Sequence, residues 1–238
     1  MHNQTELVTD LAPSGVLRAS INLGNPVLAQ GTPDAPVGVT VDIAREVAAR
    51  VGVPASFVCF DAARKSFEAM MTGAADICFL AIEPAREAEV AFTTPYVLIE
   101  GVYTVPSDST LTSPAEVDQP GVRVGVNQGS AYDLFLSRSL KHATVVRGRE
   151  GTAVFLEQKL EAVAGIREPM TAFMASQPGL RLIGERFMEI RQAVGVPRAK
   201  RQEAVRFLRD LVEELKASGF IAESLRRSGQ TAAVAPPA

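Results

Sequence analysis

Asp76-Ile77-Cys78-Phe79-Leu80-Ala81-Ile82-Glu83-Pro84-Ala85-Arg86, continued by Phe92-Thr93-Thr94-Pro95-Tyr96, is the stretch that decides the fold. The unbroken apolar run Ile77 to Ile82 reads as a strand buried on both faces, breaking into a short helix. Arg86 then stands just past the strand end. A guanidinium in that position is placed to grip a carboxylate, because its planar fork offers two parallel charge-assisted hydrogen bonds. The competing reading is an ordinary surface arginine paired with Glu83 or Glu89.

Upstream of that stretch, Val16 to Leu23 alternates as a strand and stops at Gly24-Asn25-Pro26. Val41 to Val51 has the helical period, closed by Gly52, and Ala55 to Phe60 is a short apolar strand. Ala62 to Met71 is a helix with Gly73 at its end. The first hundred residues therefore read β-α-β-α-β, which implies a parallel sheet with right-handed crossovers. Downstream, Val97 to Val105 is extended. A second β-α series follows, with strands at Val122 to Val126, Thr144 to Arg147 and Ala162 to Ile166. Ile190 to Val196 is a last extended piece, and Ala199 to Ser218 is a long amphipathic helix. Two β-α units and two extended crossings, near Leu98 to Thr104 and Gln192 to Val196, predict two α/β lobes. Lobe 1 is expected at 1–101 with 194–238, and lobe 2 at 102–193. The small-residue tail 231–238 is expected to be disordered.

Composition narrows the function classes. The chain has 238 residues, 47% hydrophobic and 21% charged, with a net charge of −3. That is globular, and neither a basic block nor an aromatic cluster points to nucleic acid. No apolar run is long enough for a membrane span. Residues 1–15 carry Glu6 and Asp10 and do not read as a secretory signal. Cys59 and Cys78 read as small buried hydrophobes on two core strands rather than a disulfide. With His2 and His142 as the only histidines, no transition-metal site is expected. No nucleotide loop or nucleophile–base pair appears, so no cofactor is expected.

Four segments in order resemble the family 3 solute-binding proteins, the polar amino-acid receptors of ABC importers. They are Gly38-Val39-Thr40-Val41-Asp42-Ile43-Ala44, the Asp76-to-Tyr96 stretch, Val124-Gly125-Val126-Asn127-Gln128-Gly129-Ser130, and Leu215-Lys216-Ala217-Ser218-Gly219-Phe220. The resemblance covers roughly residues 14 to 229. It implies an α/β, two-lobed periplasmic-binding-protein type 2 fold, each lobe a small mainly parallel sheet flanked by helices. Ligand would sit in the cleft at the carboxyl ends of the strands. It further implies a small carboxylate-bearing ligand, delivery to a membrane permease, and a periplasmic location. The segment 1–15 leaves a cytoplasmic location open, and a monomer is expected.

On the resemblance, Arg86 clamps the ligand carboxylate. Gly129-Ser130 opens a helix whose first amides form an anion site, and Ser130 caps it. Asn22 and Asn25 stand at the end of the first strand, where they serve the ligand or simply form the turn. Phe79 and Ala81 occupy places where amino-acid receptors carry Ser or Thr, leaving backbone carbonyls. Ile166-Arg167-Glu168 stands where those receptors place an aspartate for the ligand ammonium, so Arg167 adds a positive group there or points elsewhere. Glu100, in an apolar crossing, pairs with an arginine such as Arg191 or faces the cleft. Asp42 is expected to support the Gly38 turn and its helix, and Phe92 and Tyr96 to be core. The competing functions are an enzyme on the same fold, dehydratase-like, with Glu83, Glu100 or Glu168 as its acid or base, and a sensor or effector domain.

Overall fold

The structure, a computed structural model, describes residues 4–200 and 202–238; His2 lies outside the described residues. The chain forms two compact units, Met1–Leu98 with Arg191–Ala238, and Ile99–Ile190.

Unit 1 begins with α1 (Gln4–Leu11), β1 (Leu17–Asn22), the hairpin β2 (Gln30–Thr32) and β3 (Ala35–Val37), and α2 (Val39–Val51). It continues through β4 (Ala55–Phe60), α3 (Ala63–Met71), β5 (Ile77–Ala81), the one-turn α4 (Pro84–Glu87) and β6 (Val90–Phe92). The long strand β7 (Val97–Pro106) leads out of it. Unit 2 holds α5 (Pro114–Val117), β8 (Arg123–Asn127), α6 (Ala131–Ser139), β9 (Thr144–Gly148), α7 (Gly151–Gln158), β10 (Ala162–Ile166), α8 (Arg167–Ser176) and β11 (Leu180–Leu182). The chain then returns along β12 (Met188–Pro197) and completes unit 1 with α9 (Gln202–Ala217), α10 (Phe220–Arg227) and β13 (Ala233–Val234).

In unit 1 the strands run β4-β1-β5-β12, the first three parallel and β12 antiparallel to β5. Every residue of β5 is buried, as its continuous apolar run requires of a strand covered on both faces. Its register against β1 is pinned by Asp76, which accepts from the Arg18 amide at 2.9 Å and from the Arg18 guanidinium at 3.0 and 2.7 Å. Helix α2 ends at Gly52, whose φ of 78° returns its amide to the Ala48 carbonyl. Along α9, Ala204, Leu208, Leu211, Val212 and Leu215 are buried and Val205 is half-buried.

In unit 2 the order is β7-β10-β8-β9, with β10, β8 and β9 parallel and β7 antiparallel to β10. Its register carries the same device: Glu161 accepts from the Arg123 amide at 2.8 Å and from the Arg123 guanidinium at 2.9 and 2.8 Å. Both sheets thus place one antiparallel strand beside three parallel ones.

Several expectations are corrected. Within the tail, β13 pairs with Val97 and Leu98, and the Ala235 amide donates to the Tyr96 carbonyl at 3.1 Å. Main-chain pairing needs no particular side chains, so a small-residue segment finds its place on a strand edge. Residues Gln4–Leu11 form a helix that buries Leu7 and Leu11. Asp42 does not hold the Gly38 turn with its side chain; it accepts from Ser224 at 2.6 Å and Arg227 at 2.8 Å, tying α2 to α10. Cys78 is fully buried, but Cys59 is only half-buried, because β4 is the edge of its sheet. β1 lies between the two cysteine strands.

Candidate functional site

The carboxyl end of β5 holds buried charged side chains, Glu83 and Arg86. Arg86 is 3% exposed, so the surface reading of this residue is corrected: its guanidinium lies inside the protein. Pro84 opens α4 at a position that needs no amide donor, and the single turn brings residue 86 back toward the strand end. There Nη1 donates to the Ala81 carbonyl at 3.1 Å, which fixes the guanidinium plane. Burial draws the Arg86 pKa down to about 10, opposed by the neighbouring Cys78 and Glu83. It stays cationic at neutral pH. Burial likewise pushes the Cys78 thiol up to about 12, and the Tyr96 hydroxyl well above its usual value. Both are neutral at pH 7.

Phe79 and Ala81 are buried in β5. The Phe79 ring meets Tyr96 edge-on at 6.2 Å and 81°, so it serves the core, as do Tyr96 and Phe92. Ala81 contributes its carbonyl. Asn22 and Asn25 act in the turn after β1: Asn22 Oδ1 accepts from the Gly24 amide at 3.0 Å and Asn25 Oδ1 from the Val27 amide at 3.3 Å. Near this turn lies a cavity of about 320 Å³, lined by Leu23, Pro33, Cys59, Phe60, Asp61 and Lys65. Lys65 pairs with Asp61 at 2.7 Å, so the charges lining it offset one another.

In unit 2, Gly129 adopts a φ of 73° and Ser130 caps α6, its Oγ accepting from the Asp133 amide at 3.1 Å. The expected open anion site is corrected in one respect. The Gly129 amide already donates to Asp133 Oδ2 at 2.8 Å, and Arg147 pairs with that carboxylate at 3.0 Å. Asp133 was missed in the sequence, although Ser130 followed three residues later by an acid is the capping-box pattern.

Arg167 begins α8, where the helix dipole disfavours a positive charge. Glu100 offsets it by accepting from Arg167 Nε at 2.5 Å, and Arg167 Nη2 also donates to the Gly184 carbonyl at 2.8 Å. Glu100 pairs with Arg186 at 3.5 Å as well, so its expected partner Arg191 is replaced by Arg167 and Arg186. These side chains are 31–50% exposed, a wet network rather than a buried one. Glu168 is half-buried, and Ile166 presents no charge.

Among the described residues no His, Cys, Asp and Glu side chains gather as a metal-binding group, and no helix is long and apolar enough to cross a membrane. Three parallel strands beside one antiparallel strand in each of two units, with the chain leaving and returning along β7 and β12, define a periplasmic-binding-protein type 2 fold. The chain belongs to the bacterial extracellular solute-binding proteins, family 3, matched over residues 22–230. It matches no curated protein. Among solved structures it is similar to a mutant of ArgBP from T. maritima, with a TM-score of 0.76 and 24% identity over 94% of this chain and 99% of that one. The cysteine-binding protein from Campylobacter jejuni gives a TM-score of 0.74 at 18% identity, covering 96% and 93%. The substrate binding protein of an amino acid ABC transporter gives 0.73 at 16%, covering 89% and 98%. At such identities the likeness carries the fold.

Proposed function

We propose that this protein is a receptor for a small carboxylate-bearing solute, an amino acid or related organic acid, which it passes to the permease of an ABC importer. It acts by binding without turnover, in the periplasm. The observation that carries the reading is Arg86, a cationic guanidinium taken almost wholly out of water at the carboxyl end of β5. A carboxylate is the ligand group that its planar fork fits best. Family membership supports solute binding, and names among the similar structures, such as cysteine-binding protein, point toward amino acids.

The test is a dye-based thermal-shift screen against amino acids, keto acids and dicarboxylates, a format that suits a chain without Trp. A ligand at about 100 times its Kd stabilises the fold by about 2.7 kcal/mol. A clear rise in Tm with one class, lost in Arg86→Ala, is expected. A panel without any shift, or a shift that Arg86→Ala retains, would sink the assignment.

A further inference from the structure

We propose that the tail, residues 231–238, is a positioning strap for the Arg86 site, holding the strands that orient its guanidinium. This rests on the reading of Arg86 as the carboxylate clamp. The tail lies beyond residues 22–230, over which the chain matches its family, so family membership does not account for it. Nor does an apolar core, since Ala235 alone in the tail is buried. Polar contacts hold it instead. β13 runs antiparallel to the start of β7, Ala233 opposite Leu98 and Val234 opposite Val97. Lys216 Nζ donates to the Pro236 carbonyl at 2.9 Å, and the Ala238 amide donates to Glu213 Oε2 at 3.3 Å. The Lys216 side chain is 4% exposed and pairs with Glu213 at 2.7 Å, and Thr94 donates to the same carboxylate. A buried ammonium is costly unless its donors find acceptors, and the tail supplies one.

The tail reaches the site through the main chain. The Tyr96 carbonyl accepts from the Ala235 amide at 3.1 Å, and the Tyr96 amide donates to the Gln192 carbonyl of β12 at 2.8 Å. Gln192 stands opposite Ala81 in the pairing of β12 with β5, and the Ile82 amide donates to the Arg191 carbonyl at 2.9 Å. The Ala81 carbonyl is the acceptor that fixes Arg86 Nη1. The Tyr96 ring also meets Phe79, two residues before Ala81. The links run from the tail through Tyr96 and β12 to β5, and every residue in them belongs to unit 1. A bidentate grip needs the guanidinium fork held in one plane, so loosening these strands weakens binding although the tail itself touches no ligand. Ala235 is the joint that a single substitution can open. It precedes Pro236, which already favours extended backbone there. Proline at this position keeps an extended conformation and removes the amide that holds Tyr96.

The experiment measures hydrogen exchange by NMR on the isotope-labelled full chain without ligand. In Ala235→Pro the Ile82 amide and the Arg86 Nε–H should exchange about 10-fold faster than in the wild type. The Gly151 amide of unit 2, which donates to Asn127 Oδ1, should exchange as before. Ala235→Val, close to proline in bulk but with its amide intact, should match the wild type. Deleting residues 231–238 should accelerate exchange at least as much as proline does, and stands in for Ala235→Pro if that variant folds poorly. Acetate, the simplest carboxylate, is then titrated while the Arg86 Nε–H signal is followed. Its dissociation constant should rise about 5-fold in Ala235→Pro. The proposal is overturned if Ile82 and Arg86 keep their wild-type exchange rates, if Gly151 accelerates equally, or if Ala235→Val behaves as Ala235→Pro does. Faster exchange with unchanged acetate affinity overturns it as well. A wild type whose Arg86 signal ignores acetate would instead overturn the carboxylate reading of Arg86, and the exchange rates would then decide the strap.

Discussion

The two units place three parallel strands in the same order beside one antiparallel strand, and each carries an arginine beyond the third parallel strand. Arg86 follows β5 and Arg167 follows β10. Their surroundings differ. Arg86 is buried with a lowered pKa, whereas Arg167 is about a third exposed and already paired with Glu100. The register latches at the opposite strand ends show the same contrast: the Asp76 side chain is 3% exposed and that of Glu161 is 37% exposed. Equivalent topology therefore does not give equivalent electrostatics. At these two pairs of positions unit 1 holds the drier charge, which acts strongly, and unit 2 the wetter one, which acts weakly.

The largest expected effect separates the two arginines. Arg86→Ala should weaken ligand binding by about 100-fold or more, since truncating a buried charged partner costs 2–5 kcal/mol, while Arg167→Ala should change it less than about 5-fold. Calorimetry on both variants with the same ligand checks this, and equal losses would end the distinction. The next effect separates the latches. Asp76→Asn should lower stability by about 2 kcal/mol, because hydrogen bonds to a buried charge are lost, and Glu161→Gln by less than about 1 kcal/mol. Urea unfolding of the pair measures it; a Glu161 variant that loses as much as the Asp76 variant would contradict the dry-and-wet account.

The smallest effect is a pH dependence within unit 2. Asp118 accepts from the amides of Ala143, His142 and Lys141, which hold its pKa at about 2, below its ordinary 3.8. A carboxylate with a lowered folded-state pKa stabilises the fold fully above its ordinary value and loses that contribution as pH falls through the folded one. Asp118→Asn should therefore flatten the decline of Tm between about pH 5 and pH 2 and leave its slope near neutrality unchanged. Tm measured across that range in both proteins decides it.

The sequence announces the parallel sheets, because unbroken apolar runs such as Ile77 to Ile82 admit few other readings. Arg86 stood out as a candidate because it lies just past such a run, after Glu83-Pro84-Ala85. What escaped is what depends on partners distant in the chain. Ser224 and Arg227 take up Asp42, Arg167 and Arg186 take up Glu100, and β13 finds the edge of β7. Those pairings are fixed by tertiary packing and leave no local period. Asp133 is the exception: its capping-box spacing from Ser130 was legible, and it fills part of the anion site that Gly129 had suggested. Glu83 was read only as a surface partner or a general acid, because its burial depends on the whole of unit 1.

The most direct test of the central claim is a crystal structure of the protein with the amino acid that gives the largest thermal shift. The account predicts the ligand carboxylate within hydrogen-bond distance of the Arg86 guanidinium, at the carboxyl end of β5. Ligand found instead in the cavity beside Asp61 and Lys65, with Arg86 contacting only protein groups, would contradict it.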